Sequence, residues 1–236
     1  MIDEAWVSDA HLFELLSTHP RVRSVIRDDS AGIRFRQGEW MRSVSIGRLE
    51  PEVKGLVELI DNNPLVCADD AGVPDPASTL ALIAVGPIAL AGILTEAPTM
   101  IVNVPADEER VSGFLQTAGW SEGITLHADP QEGIAVAAAT VIASIQTPSS
   151  WDEIDELYDE RFERSFFVHR VDGEKWDSSL VEGKPNALYH LRYTPGEDTS
   201  LLTIQVMGDL RAKCGPSQAI HAMNVMAGFE ESLGLA

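Results

Sequence analysis

Lysine is scarce in this chain: only Lys54, Lys175, Lys184 and Lys213 occur. Acidic residues outnumber basic ones 37 to 17, for a formal net charge of −20. A field of that sign repels polyanions, which excludes nucleic acid and anionic membrane surfaces as partners. Many Asp and Glu with few Lys is also the composition expected of a protein that works in concentrated salt. There the Debye length falls to about 3 Å at 1 M and acidic self-repulsion is screened. Cysteine is nearly missing as well. Cys67 and Cys214 are too few for a disulfide framework and lack the clustered spacing of a structural zinc site. The simplest reading of each is a small buried hydrophobe. Long apolar runs are absent too. The most apolar stretch, Leu80 to Leu94, falls short of the roughly 18 residues that a membrane span needs. No basic leader precedes an apolar block at the amino terminus, so the expected compartment is the cytoplasm.

With 44% hydrophobic residues, the chain can bury a sizeable core. Its opening reads as a helix followed by strands. Ser8 is placed to cap a helix carrying Leu12, Leu15 and Leu16 on one face, and His19-Pro20 ends it. Ile33, Phe35, Val44 and Ile46 alternate with polar residues, predicting two short strands. Val53, Leu56, Val57, Leu59 and Ile60, after Pro51, have helical spacing, and Pro64 to Cys67 reads as a buried strand. Asp69 to Pro76 has the composition of a loop. Ala77 to Leu94 is apolar on every face, which predicts a buried helix kinked or split at Pro87.

Further on, Met100 to Val104 predicts a strand, and Glu108 to Ala118 a helix with Val111, Phe114 and Leu115 inward. Gly133 to Gln146 is β-branched and bounded by turns, as a central strand would be. Ser150-Trp151-Asp152-Glu153 has the form of a capping box. Strands are expected around Phe166 to Val171, Leu188 to Tyr193 and Leu201 to Met207, and a last helix over Gln218 to Phe229. From residue 98 onward this order predicts an α+β unit, a mixed or antiparallel sheet covered by helices on one face.

The end of the chain carries the most specific pattern. Asp209, Lys213, Gln218, Ala219, Met223, Asn224, Met226, Gly228, Glu231, Gly234 and Leu235 fall in register with the closing motif of one enzyme family. They resemble the N-acetyl-γ-glutamyl-phosphate reductases and related semialdehyde dehydrogenases. Looser matches extend upstream, through Trp151 to Val168, through His127-Ala128-Asp129-Pro130, and through the Leu15 to Val22 region. The resemblance implies an α/β and α+β protein. Residues 1–75 would be a shrunken Rossmann-like remnant of a nucleotide-binding domain, with the terminal segment 216–236 packing back on it. Residues 76–215 would form the α+β domain that in this family carries catalysis and dimerisation. It implies a homodimer or higher even-numbered assembly, or pairing with an active homologue.

The departures from the family pattern concern its chemistry. The Gly-rich turn that lets a backbone approach the cofactor pyrophosphate reads Val7-Ser8-Asp9-Ala10-His11 here, with no glycine and an added negative charge. The position of the nucleophilic cysteine reads Gly72-Val73-Pro74-Asp75-Pro76. No histidine lies between Val104 and Thr125, where the family has its general base. The expectation is therefore a non-catalytic homologue that binds a small anionic metabolite or an active homologue, with neither NADP nor a metal. The alternative is an active NADP-dependent reductase with relocated groups, for which Cys67, His127 and Lys213 are the candidates. Cys214, beside Lys213, is a further thiol whose pKa an adjacent ammonium would lower. His127 with Asp129 is a pair too small to make a metal site. His11 and His221, on helices among polar neighbours, read as solvated.

Overall fold

The computed structural model describes residues 1–60, 62–173 and 175–235, so Ala236 of the expected terminal segment lies outside the described residues. The chain opens not with a helix but with strand β1 (Glu4–Val7), which feeds helix α1 (Ala10–Thr18) and parallel strand β2 (Val25–Arg27). Asp9, not Ser8, caps α1: its carboxylate accepts the Leu12 N–H at 2.8 Å, while the Ser8 hydroxyl donates to the Ser30 carbonyl. The alternation at Ile33, Phe35, Val44 and Ile46 does form a hairpin, β3 (Gly32–Gln37) and β4 (Trp40–Ile46). A short β5 (Val53–Lys54) and β6 (Asp70–Val73) complete a six-stranded mixed sheet of order β2-β1-β3-β4-β6-β5.

Three local expectations fail here for tertiary reasons. The apolar spacing over 53–60 is not a helix but β5 and a 3-10 turn over Val57–Leu59. Gly55, at φ +134°, turns the chain between them, and Leu56 and Val57 are buried by packing rather than by periodicity. Pro64 to Cys67 is not a strand; it lies in a short helix α2 (Asn62–Cys67), where Pro64 sits in the first turn. The turn-rich 69–76 segment hides β6, whose pairing with β4 and β5 overrides its Asp and Gly composition.

One face of this sheet is apolar and is covered by α1 and the last helix, α6 (Ser217–Met226), through Ala5, Val7, Ile33, Phe35 and Val44. The other face is polar and laced with pairs such as Arg36–Glu4 (2.8 Å) and Arg34–Asp28 (3.0 Å). Arg42 points to the helix side and is almost fully buried. Its guanidinium donates to the carbonyls of Leu65, Val66 and Ala68 at the end of α2, and to that of Met226 at the end of α6. One cation thus caps the carboxyl ends of two helices, where a positive charge is favoured.

The second sheet is six-stranded and mixed: β7 (Thr99–Val102), β8 (Thr125–Ala128), β9 (Val136–Gln146), β10 (Val168–Arg170), β11 (Ala187–Thr194) and β12 (Thr199–Asp209), in the order β10-β11-β12-β9-β7-β8. Helix α3 (Pro76–Leu90) packs on it, flanked by α4 (Glu108–Leu115) and α5 (Trp151–Phe162). As expected for a helix apolar all round, α3 is buried over thirteen consecutive residues, Ala77 to Ala89, and it runs through Pro87 without splitting. It lies close to the first half of the chain at Gly86, where an added Cβ would sit 2.3 Å from Leu59 Cδ1. Helix α5 begins where the capping box predicts, but the box is not closed. The Ser150 hydroxyl caps nothing, and Glu153 instead accepts the Ser149 N–H at 3.1 Å. No described helix is long and apolar enough to cross a membrane.

Candidate functional site

The two positions that would carry the family chemistry are filled by other structure. By the family resemblance the amino terminus of α1 would face a pyrophosphate; here Asp9 puts a carboxylate there and accepts the Leu12 N–H. The position of the nucleophile lies where β6 meets α3. There Asp75 caps α3, accepting the Ser78 N–H at 2.9 Å, with Arg110 3.6 Å from its carboxylate.

The residues singled out from sequence do not converge. Cys67 is exposed at the end of α2 rather than buried in a strand. His127 is exposed on β8, an edge strand, and no metal-holding group of three ligands occurs among the described residues. Cys214 is fully buried against Gly208, where an added Cβ would lie 2.6 Å from its sulfur. Burial pushes its thiol up to about 12, more than Lys213 offsets, so it stays protonated and unreactive. Lys213 is buried too. Its ammonium lies 2.7 and 2.8 Å from the two carboxylate oxygens of Glu58, with both side chains under 5% exposed.

Glu58 was not legible as a site residue, although a lone carboxylate in the apolar run Leu56 to Ile60 was a signal for a buried pair. Its charge organises its surroundings. Ser165 donates to it at 3.2 Å and in turn accepts the N–H groups of Phe167 and Val168, which sets the turn before β10. His221 is likewise not solvated: it is buried, its Nε2 is 3.1 Å from the Glu231 carboxylate, and its ring lies 4.7 Å from that of Phe167. Every residue of α6 is buried, because the terminal tail folds over its polar side. Asn224 donates to the carbonyls of Glu231 and Leu233, and His19 Nε2 reaches both Asn224 and Leu233.

Of these groups, Phe167, Lys213 and His221 line a pocket of about 340 Å³ between α1, the 183–185 turn and the 209–218 segment. That is at the small end of ligand pockets. Leu15, Phe167 and Leu235 give it apolar walls, and Lys184, Arg211 and Gln218 supply polar ones. Asp209 also lines it, but is a turn builder: it accepts the N–H groups of Gly183 and Arg211, each at 2.7 Å. His11, half-buried, faces the Arg211 carbonyl at 3.1 Å. Arg211 itself is exposed and makes no ion pair among the described residues.

Burial lowers the His19 pKa below its ordinary 6.5, partly offset by its bonds to Asn224 and Leu233. Burial would raise Glu58, but Lys213 and His221 hold it below its ordinary 4.5. Both shifts have the same sign for stability. Above the unfolded value each contributes in full, and the contribution is lost as pH falls below that value toward the folded one. Urea unfolding should therefore show constant stability above pH 6.5, a first decline below it from His19, and a second below 4.5 from Glu58. His19→Gln should remove the first decline only. A profile flat through both windows would contradict these assignments.

Comparison with known proteins fits this architecture. No protein-family model matches the chain. Among solved structures, aspartate semialdehyde dehydrogenase II from Vibrio cholerae, complexed with ASA, superposes with a TM-score of 0.68 at 10% identity, covering 97% of this chain and 98% of that one. A probable aspartate-semialdehyde dehydrogenase from Pseudomonas aeruginosa gives 0.69 at 11% identity, covering 96% and 98%. The protein thus has the semialdehyde-dehydrogenase fold, two mixed sheets each packed with helices. Within that fold its sequence relatives are the N-acetyl-γ-glutamyl-phosphate reductases, as the closing motif indicated. It is 30% identical to the enzyme of Bacillus cereus over 97 residues, 41% of this chain and 28% of that protein. It is 27% identical to that of Marinobacter nauticus over 126 residues, 52% and 35%. The matched segments thus span about a third of the length of these curated relatives.

Proposed function

We propose that the chain is a non-catalytic homologue of N-acetyl-γ-glutamyl-phosphate reductase that binds a small anionic metabolite in the pocket beside Lys213 and takes no nicotinamide cofactor. The observation that carries this reading is the fate of the two thiols. Cys67 is exposed and does not line the pocket, and Cys214 is buried and protonated. Asp9 and Asp75, as caps, stand where the cofactor phosphate and the nucleophile would be. What supports anion binding is the cationic lining of Lys184 and Arg211 in a chain of net charge −20. The test is an NADP-linked assay of semialdehyde oxidation in phosphate buffer, following NADPH absorbance. No turnover is expected. Turnover abolished by Cys67→Ser would instead establish an enzyme with a relocated nucleophile.

The same reading makes the protein a homodimer in concentrated salt. The face of the second sheet away from α3 is covered at one end by Val171, Trp176 and Leu180, packed on Leu188 and Met207. Beyond them it is open, and Ile101, Ile142 and Leu201 on adjacent strands are 43 to 51% exposed. An apolar strip of that kind suits a two-fold contact with a second copy. Light scattering in molar KCl should give twice the sequence mass, and Ile142→Asp should give a monomer. A wild-type monomer would leave an active homologue as the better partner.

A further inference from the structure

The pocket contains a buried acceptor that nothing among the described residues satisfies, and proton bookkeeping identifies it. Thr79 donates its hydroxyl proton to the Asp75 carbonyl at 2.8 Å. Its oxygen therefore accepts from Gln218, whose amide nitrogen is 2.7 Å away. This fixes the amide: Nε2 faces Thr79, and Oε1 is left buried with no donor. One turn further along α6, His221 turns Nε2 to the Glu231 carboxylate. A carboxylate only accepts, so Nε2 carries a proton. Nδ1 of that ring is also buried, with no partner among the described residues. Both residues are at most 2% exposed, and both line the pocket. Unmet buried acceptors are rare in folded proteins and call for a donor.

The exposed side of the pocket has the opposite chemistry. Among the described residues, Arg211 makes no ion pair there, and the Lys184 ammonium meets the Leu180 carbonyl at 2.8 Å. Around the pocket, Lys184, Arg211 and Lys213 balance Glu58, Asp209 and Glu231 in formal charge. A bare polyanion would find no surplus of positive charge at depth. We propose, building on the anion-binding reading above, that the pocket takes a small carboxylate bearing an ammonium or hydroxyl group at its other end. The carboxylate meets Arg211 and Lys184, and the donor meets Gln218 Oε1. Gln218 is then the residue that sets specificity, since a site built around a hydrogen bond rejects analogues that lack the matching group.

Calorimetric titration with L-malate, L-glutamate and succinate tests this, because succinate keeps the carboxylates and lacks the donor. At least one of the first two should bind about tenfold more tightly than succinate, or better. Gln218→Met should abolish that preference. Arg211→Ala, at an exposed position, should weaken all three by about tenfold. Equal affinities in the unaltered protein, or a preference that survives in Gln218→Met, would overturn the donor selection. If Arg211→Ala still weakened binding, the anion-binding reading would stand without it. No binding of these probes or of inorganic phosphate at millimolar concentration would overturn both. If Gln218→Met fails to fold, the comparison of probes on the unaltered protein decides alone.

Discussion

Replacing Arg42 with methionine should cost about 3 kcal/mol or more, since it strips donors from buried carbonyls at two helix ends at once. Methionine can fill the volume beside Phe35 and Trp40, but it donates nothing. The guanidinium is 5.8 and 4.0 Å from those rings, so a cation–π contribution is lost as well. For a chain of this size the melting temperature should fall by roughly 6–12 °C. The effect should be local to the first sheet, because α2 and α6 meet there and both ends release together. Arg42→Lys should recover only part of the loss, as a lysine cannot reach four carbonyls in a plane. Urea unfolding of the three proteins measures this. A methionine variant as stable as the original would mean that the helix ends find other donors.

The second large effect is expected at the buried ion pair. Lys213→Met leaves Glu58 charged and uncompensated, which should cost about 3–5 kcal/mol. Removing both charges, in Glu58→Leu with Lys213→Met, should recover most of that, because two desolvation penalties vanish together. The single variant should also loosen the pocket. Glu58 holds Ser165, and Ser165 holds the backbone of Phe167, which forms one wall. A double variant no better than Lys213→Met would show that the pair is not the source of the loss. Were Lys213 a general base rather than a structural cation, its replacement would leave stability nearly unchanged.

The architecture was legible wherever a pattern and its physical cause were both local. The hairpin follows from alternation at Ile33, Phe35, Val44 and Ile46, and α3 from a run with no polar face. The long strand β9 follows from β-branched residues between turns. Sequence failed where tertiary contacts decide. The residues Val53 to Ile60 have helical spacing, but Gly55 and the burial of Leu56 beneath α3 bend them into a strand and a single turn. β6 is held by its neighbours despite a turn composition. The candidate site was harder still. The polar residues of α6, Gln218, His221 and Asn224, recur every three residues, and His221 among them read as solvated. They form a buried stripe because the tail from Gly228 to Leu235 returns over them, and no local signal records that return. Only Glu231, retained at motif spacing, hinted at the partner for His221.

The central claim is that this chain has the semialdehyde-dehydrogenase fold without the cofactor site that serves it. Titration with NADP(H) tests that most directly, following the fluorescence of the five tryptophans. Trp6 lies in β1, next to the turn that would meet the pyrophosphate, so binding there would not be silent. Asp9 caps the amino terminus of α1 at the Leu12 N–H, and the turn Val7 to His11 contains no glycine. The expected result is no saturable change at micromolar cofactor, in low or molar salt. Saturation with a low-micromolar Kd would contradict the account.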